Sequence, residues 1–299
     1  MRRIRSPFQA LRLLHLGQRI LARAGAYAAA GLADGVFATD AAHVTQPVAI
    51  AAAAPQAELR VRSLGAMEVL VAEQAAAAEV WSHARPKELL VYLLCHPEGS
   101  TREQVGVAFW PDASSSQVKN SFHVLLHKLR KGLGRADRIV LQADRYRVNP
   151  AVDVWFDAVV FERDITSALA TRSSDQLEAA VAHYRCDFLD GEAVGDWHLD
   201  VRARLRDLYI TGLSALADLH IRRDELRKAS DTLELLVQHE NLQEDAYRRL
   251  MLCLARTGQR DRALRHYHRL VTLLNDELDA EPEPVAEQLA ERIRASVAV

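Results

Sequence analysis

The chain has 299 residues, 49% hydrophobic and 26% charged, with 38 Lys and Arg against 40 Asp and Glu for a formal net charge of −2. That is an ordinary globular balance with material for about two domains; the total charge gives no sign of a polyanion partner, and no run of 18 apolar residues predicts a membrane span. Cys95, Cys186 and Cys253 lie far apart with no CxxC, which argues against a disulfide framework or zinc ribbon and for a reducing cytoplasm.

Residues 1–33 hold six arginines and no acid. A basic amphipathic helix fits, with Phe8, Leu11, Leu14, Ile20 and Leu21 on one side. The segment lacks a clean apolar core followed by a cleavage site, so a secretory signal is not expected. Residues 40–57 are Ala-rich with Pro47 and Pro55 and read as a linker, so 1–57 is set apart as an N-terminal segment. From Leu59 the words LRVRSLG and MEVLVA predict two short strands. A helix starts at Pro86, buries Leu89, Leu90, Leu93 and Leu94, and ends at Pro97 and Gly99. Ser100-Thr101-Arg102-Glu103 has the capping-box pattern that opens a second helix, which stops at Trp110-Pro111. Asp112 or Ser114 caps a third helix, whose apolar positions Val118, Phe122, Leu125, Leu126, Leu129 and Leu133 recur at helical spacing. A hairpin follows, Ile139–Gln142 and Arg145–Val148, turning at Ala143-Asp144. From about residue 151 the chain reads as helical throughout. An offset of 34 aligns Leu213 with Tyr247, Leu216 with Leu250, Ala229 with Ala263 and Leu236 with Leu270, the period of tetratricopeptide-like helix pairs. A third, degenerate unit falls near Leu177–Phe188.

Helix, helix, long basic helix and hairpin make a winged helix-turn-helix. The expected fold is mostly α: this domain with its small β hairpins over 58–150, then an all-α tetratricopeptide-like domain over 151–299. From Gln117 to Val148, eight cations face Asp137 and Asp144, a net of +6 over 32 residues. A charge so local points to DNA better than the total does. Gln, Asn, Lys and Arg carry the hydrogen-bond forks that read base edges in a major groove. Gln117, Lys119, Asn120 and His123 are therefore the expected base contacts. His127 lies on the same face, while Lys128, Arg130 and Lys131 come later and touch phosphates or nothing. Ser100, Thr101 and Arg102 start the second helix, where free N–H groups suit a phosphate. Arg145 and Arg147 flank the wing turn, where an arginine can enter a minor groove. The plainer alternative is a solvated helix face.

Other constellations carry less. His123 and His127 have the i,i+4 spacing that can hold zinc, but no third ligand stands near, and an exposed polar pair suffices. Ser114-Ser115-Ser116 is explained by a helix-cap turn. There is no phosphate loop and no nucleophile elbow, so neither an enzyme, a metal site nor a cofactor is expected.

The words RPKELLVYLLCHPEG, FWPDA, VKNSFHVLLHKLRKGLG, DVWFDAVVFE, HYRCDFLDG and LQEDAYRRLMLCLARTGQRDRALRHY, with Trp197, Arg202 and Tyr209, follow in order. Over about residues 59–295 the chain resembles the SARP-type transcriptional activators, an OmpR-like winged helix followed by a bacterial transcriptional activator domain. It departs in having Cys186 and Asp190 where the family usually has glycine and proline, and in some 57 residues before the winged helix. The resemblance implies a cytoplasmic, sequence-specific binder of double-stranded DNA that occupies direct repeats near a promoter, self-associates on tandem sites and contacts RNA polymerase. The competing reading is a helical-repeat interaction scaffold whose winged helix does not bind DNA.

Overall fold

Apolar alternation places the first two strands. In a computed structural model, which describes residues 57–71, 81, 83–191 and 193–295, β1 (Leu59–Arg62) and β2 (Glu68–Val71) pair antiparallel, Leu59 opposite Val71. Leu59, Val61, Val69 and Val71 point inward. The helix expected in residues 1–33 lies outside the described residues, as does all but the end of the linker. All described residues belong to one compact unit.

Helix α1 (Ala84–Cys95) starts two residues before Pro86 and is buried on most of its circumference. Helix α2 (Arg102–Phe109) and helix α3 (Ser115–Gly132) complete the tri-helical core. The cap of α2 differs by one residue from expectation. Thr101 is the N-cap, and the box closes with Gln104. Ser100 is displaced from that role because its backbone pairs with the wing: its N–H donates to Tyr146 O (2.9 Å) and its carbonyl accepts from Tyr146 N–H (2.8 Å). Of the two candidates for the cap of α3, Ser114 holds the place, in a box with Gln117. Gly106 permits the tight crossing of α2 on α3, since a Cβ there would lie 2.6 Å from Val118 Cγ1. A 3-10 turn, Ala136–Arg138, leads into the wing, β3 (Ile139–Gln142) and β4 (Arg145–Val148), paired as expected with Gln142 opposite Arg145.

The expectation of helix from residue 151 onward is corrected at its start. Val154–Phe156 is a strand, β5, parallel to β1 and completing a sheet of order β2-β1-β5. Its Val, Trp and Phe suit a pleated surface, and β1 offers an unpaired edge that satisfies its backbone groups. Helices α4 (Asp157–Thr171) and α5 (Ser174–Val181) follow. The 34-residue period then resolves into two antiparallel pairs, α6 (Leu199–Arg222) with α7 (Leu226–His239), and α8 (Glu244–Arg256) with α9 (Arg260–Leu278). Ala229 and Ala263 are fully buried in them, as close helix approach requires. Helix α10 (Pro284–Arg294) closes the array. Among the described residues, no helix is long and apolar enough to cross a membrane.

Two buried carboxylates tie the winged helix to the helical array. Asp157 accepts from Ser63 N–H at 2.8 and 2.9 Å, Leu64 N–H at 3.0 Å and Ser63 Oγ at 3.0 Å. Burial raises its pKa, a shift those bonds partly offset. Glu88 Oε1 accepts from Val194 N–H (3.0 Å) and Trp197 Nε1–H (2.9 Å), while Arg85 donates to Oε2 (3.3 Å). Around Glu88, Trp197 meets Tyr92 edge-on at 5.1 Å and lies nearly parallel to Phe109 at 6.2 Å.

Candidate nucleic-acid interface

The amphipathic pattern of α3 divides it into two faces. Val118, Phe122, Leu125, Leu126 and Leu129 pack inward, while Gln117, Lys119, Asn120, His123, His127, Lys128 and Lys131 are exposed. Lys119, Asn120, His127, Lys128 and Lys131 make no side-chain hydrogen bond or ion pair with any described residue, and so present donors and acceptors to a ligand. His123 shares the face and lies against Phe122 (6.1 Å between rings).

The other expected site residues stand differently. Gln117 is exposed, but its Oε1 accepts from Ser114 N–H (2.8 Å) and Oγ–H (2.9 Å), leaving chiefly its amide N–H groups free. Arg130 is half-buried and donates to Ile139 O (2.8 Å), which pins the base of the wing to α3. Arg145 donates to Gly99 O (2.8 Å). Gly99 has φ +86°, and a Cβ on it would lie 2.9 Å from Arg145 Cβ, so glycine is required beneath the wing. Arg147 bonds Gln142 across the hairpin. At the start of α2, Thr101 N–H donates to Gln104 Oε1 (2.9 Å), and Arg102 pairs with Glu103 (2.7 Å). That bond holds the Glu103 carboxyl below its ordinary range. Ser100 is buried with its N–H already used, so it offers nothing to a phosphate.

The local charge is thus less free than its count. Arg138 is 2% exposed and donates to Glu58 through Nε (2.9 Å) and to Leu133 O. Arg135 is drawn to Asp137 (2.7 Å) and Glu58 (3.4 Å), and its guanidinium lowers the pKa of Asp137. Glu58 lies outside the basic window in sequence but folds against it. Lys119, Lys128 and Lys131, together with Arg130, Arg145 and Arg147, which bond only neutral acceptors, therefore carry the charge that no described carboxylate pairs. Structural roles for Glu58, Glu88 and Asp157 have no motif, whereas Thr101-x-x-Gln104 is itself a capping-box pattern. The one sequence sign was an acid, Glu88, among the apolar residues of α1. Among the described residues, no three His, Cys, Asp or Glu side chains are grouped to hold a metal.

Behind this face, residues 156–294 match the family model of the bacterial transcriptional activator domain, from the end of β5 to the end of α10. The chain carries that domain. Together with the winged helix ahead of it, the bacterial transcriptional activator domain gives the SARP-type order. The chain is similar to the regulatory protein AfsR of Streptomyces griseus, 25% identical over 224 residues, which are 72% of this chain and 23% of that protein. It thus spans under a quarter of that relative's length. Among solved structures, Mycobacterium tuberculosis EmbR, in complex with a low-affinity phosphopeptide, superposes with a TM-score of 0.61 at 20% identity. The match covers 81% of this chain and 66% of that one, and it is a likeness of fold.

Proposed function

We propose that the chain is a sequence-specific regulator that lays α3 in the major groove of duplex DNA, and that its activator domain contacts RNA polymerase. The observation that carries this reading is the exposed stripe Lys119, Asn120, His123, His127, with Lys128 and Lys131, beside a wing on the same body as a bacterial transcriptional activator domain. Lys119 and Asn120 lie in the first half of the helix, where base edges are read, and the later lysines suit phosphates. Gln117 contributes through its amide N–H groups. Thr101 and Arg102 at the start of α2, and Arg145 and Arg147 in the wing, lie where backbone contacts fix the register. Tandem occupancy of direct repeats, with self-association, follows from the resemblance to SARP-type activators.

Selection of the full chain against random duplex DNA, followed by sequencing, tests this. The expected result is a short motif recovered in direct repeats, with log K falling against log salt at a slope of about −0.9 per phosphate neutralised. No enrichment at low salt would favour the scaffold reading.

A further inference from the structure

We infer that the seam between the winged helix and the activator domain contains a binding site for a small organic amine with an apolar body. A cleft of 640 Å³ opens there, with walls that include Tyr92, His96, Gln104, Val107, Asp196 and Trp197. Its volume is within the ~300–1,000 Å³ of small-ligand sites, which combine apolar walls with a few polar groups.

The polar groups define the ligand. His96 Nδ1 is 2.7 Å from Tyr92 O. A carbonyl only accepts, so Nδ1 donates to it. Asp196 is exposed, and its carboxylate makes no hydrogen bond or ion pair with any described residue. No Lys or Arg is among the lining residues. Tyr92 is buried, with His96 stacked on its ring at 4.3 Å; the half-buried Trp197, one side of which lies along Phe109, is the aromatic ring that reaches the cleft, and aromatic rings attract cations. A carboxylate free of hydrogen bonds, a half-buried indole and the lack of lining cations together favour an ammonium group over a carboxylate or phosphate. Val107, 75% exposed on the rim, and the indole take the apolar body.

The position also gives such a ligand consequence. Gln104, on one wall, holds the cap of α2 through Thr101 N–H (2.9 Å) and lies 3.5 Å from Arg145 of the wing. A ligand on this wall touches the frame that sets α2 and the wing.

Tryptamine and indole-3-acetate present the same ring with opposite charge, and titration calorimetry of each into the full chain is the test. The expected result is saturable binding of tryptamine, at least tenfold tighter than indole-3-acetate, with most of that ratio lost in Asp196→Asn. The Asp196 carboxylate makes no hydrogen bond in the fold but its charge acts on His198, so the titrations and the control melts of the variant are run at pH 8, well above the ordinary histidine value of about 6.5, where the melting temperature is expected to be unchanged. A second variant, Val107→Trp, fills the rim and blocks tryptamine. Equal affinity for the two probes, an unchanged ratio in Asp196→Asn, or no saturable binding of tryptamine at millimolar concentration overturns the proposal. Binding that is confined to lysine- or arginine-bearing peptides would do so as well.

Discussion

At the scale of single residues, the basic helix separates into groups that face outward and groups that hold the fold. Lys119 and Arg130 look alike in the sequence, both cations on an amphipathic helix. Lys119 has no partner in the fold, whereas Arg130 spends an N–H on Ile139 O at 2.8 Å. Lys119→Ala is expected to leave the melting temperature unchanged and to weaken specific duplex binding by about 1–3 kcal/mol if it contacts a base. Arg130→Ala is expected to cost about 1.5–3 kcal/mol of stability, the range for a hydrogen bond to a charged group, while preserving the order of preferred DNA sequences. Competition binding and thermal melts of the two variants give both readings. A specificity change in Arg130→Ala at constant stability would reverse the assignment. Three histidines, one buried and two half-buried, make a second residue-scale case. His198, His239 and His266 all have pKa values lowered chiefly by burial, with Arg202, Arg206 and Arg262 adding to the effect and Asp196, Asp187 and Glu234 opposing it. A lowered folded pKa means that the unfolded chain takes up the proton first. Stability is therefore fully present above the ordinary value of about 6.5 and is lost as pH falls through that value toward the folded pKa. The melting temperature is expected to fall between pH 7.5 and 5.5, with a shallower slope in His239→Gln. Asp157 and Asp231, whose pKa values are raised by burial, act in the opposite sense at more acid pH. A flat profile over the histidine range would contradict the burial argument.

At the scale of elements, the wing turn carries a strain that its residues do not relieve. Ala143 and Asp144 have φ of 49° and 59°, the pair of left-handed residues that a type I′ hairpin needs and that Asn-Gly supplies best. Alanine in that region costs roughly 1–2 kcal/mol. Ala143→Asn is expected to raise stability by about 1 kcal/mol in a denaturant melt without altering DNA binding, and a loss of stability would show the turn to be of another kind. Elements with a local signal were the legible ones. The third helix, the hairpin and the 34-residue pairs could be read because their apolar spacing, turn residues and repeat are contained in short windows. What escaped depends on distant partners. The strand at Val154–Phe156 is too short to announce itself and exists because β1, some 95 residues earlier, presents a free edge. The capping box slid from Ser100 to Thr101 because Tyr146 of the wing claims the Ser100 backbone. Glu58 neutralises Arg138 from outside the window in which charge was counted.

At the scale of the whole molecule, the same long-range partners argue against a winged helix that folds alone. A boundary at residue 150, natural from the sequence, cuts between β4 and β5. It would strip β1 of its parallel neighbour, leave the Ser63 and Leu64 N–H groups without Asp157, take the Val194 and Trp197 donors from Glu88 Oε1, and open to water the apolar surface these elements cover. Hydrogen-bonding groups that lose their partners and apolar area returned to water both cost stability. A fragment of residues 57–150 is therefore expected to be unstable or aggregated, whereas residues 57–299 should melt in one transition close to that of the full chain. Glu88→Gln in the longer fragment separates the two ties. It retains an acceptor for Trp197 Nε1–H and Val194 N–H but loses the ion pair with Arg85, so it should lower the melting temperature less than Glu88→Ala, which loses both. Calorimetry of the five proteins decides the matter. If residues 57–150 melt cooperatively near the temperature of the longer fragment, the seam contributes little to the winged helix. The two domains would then move independently on DNA, and no ligand or partner on the activator domain could reach the recognition helix through it.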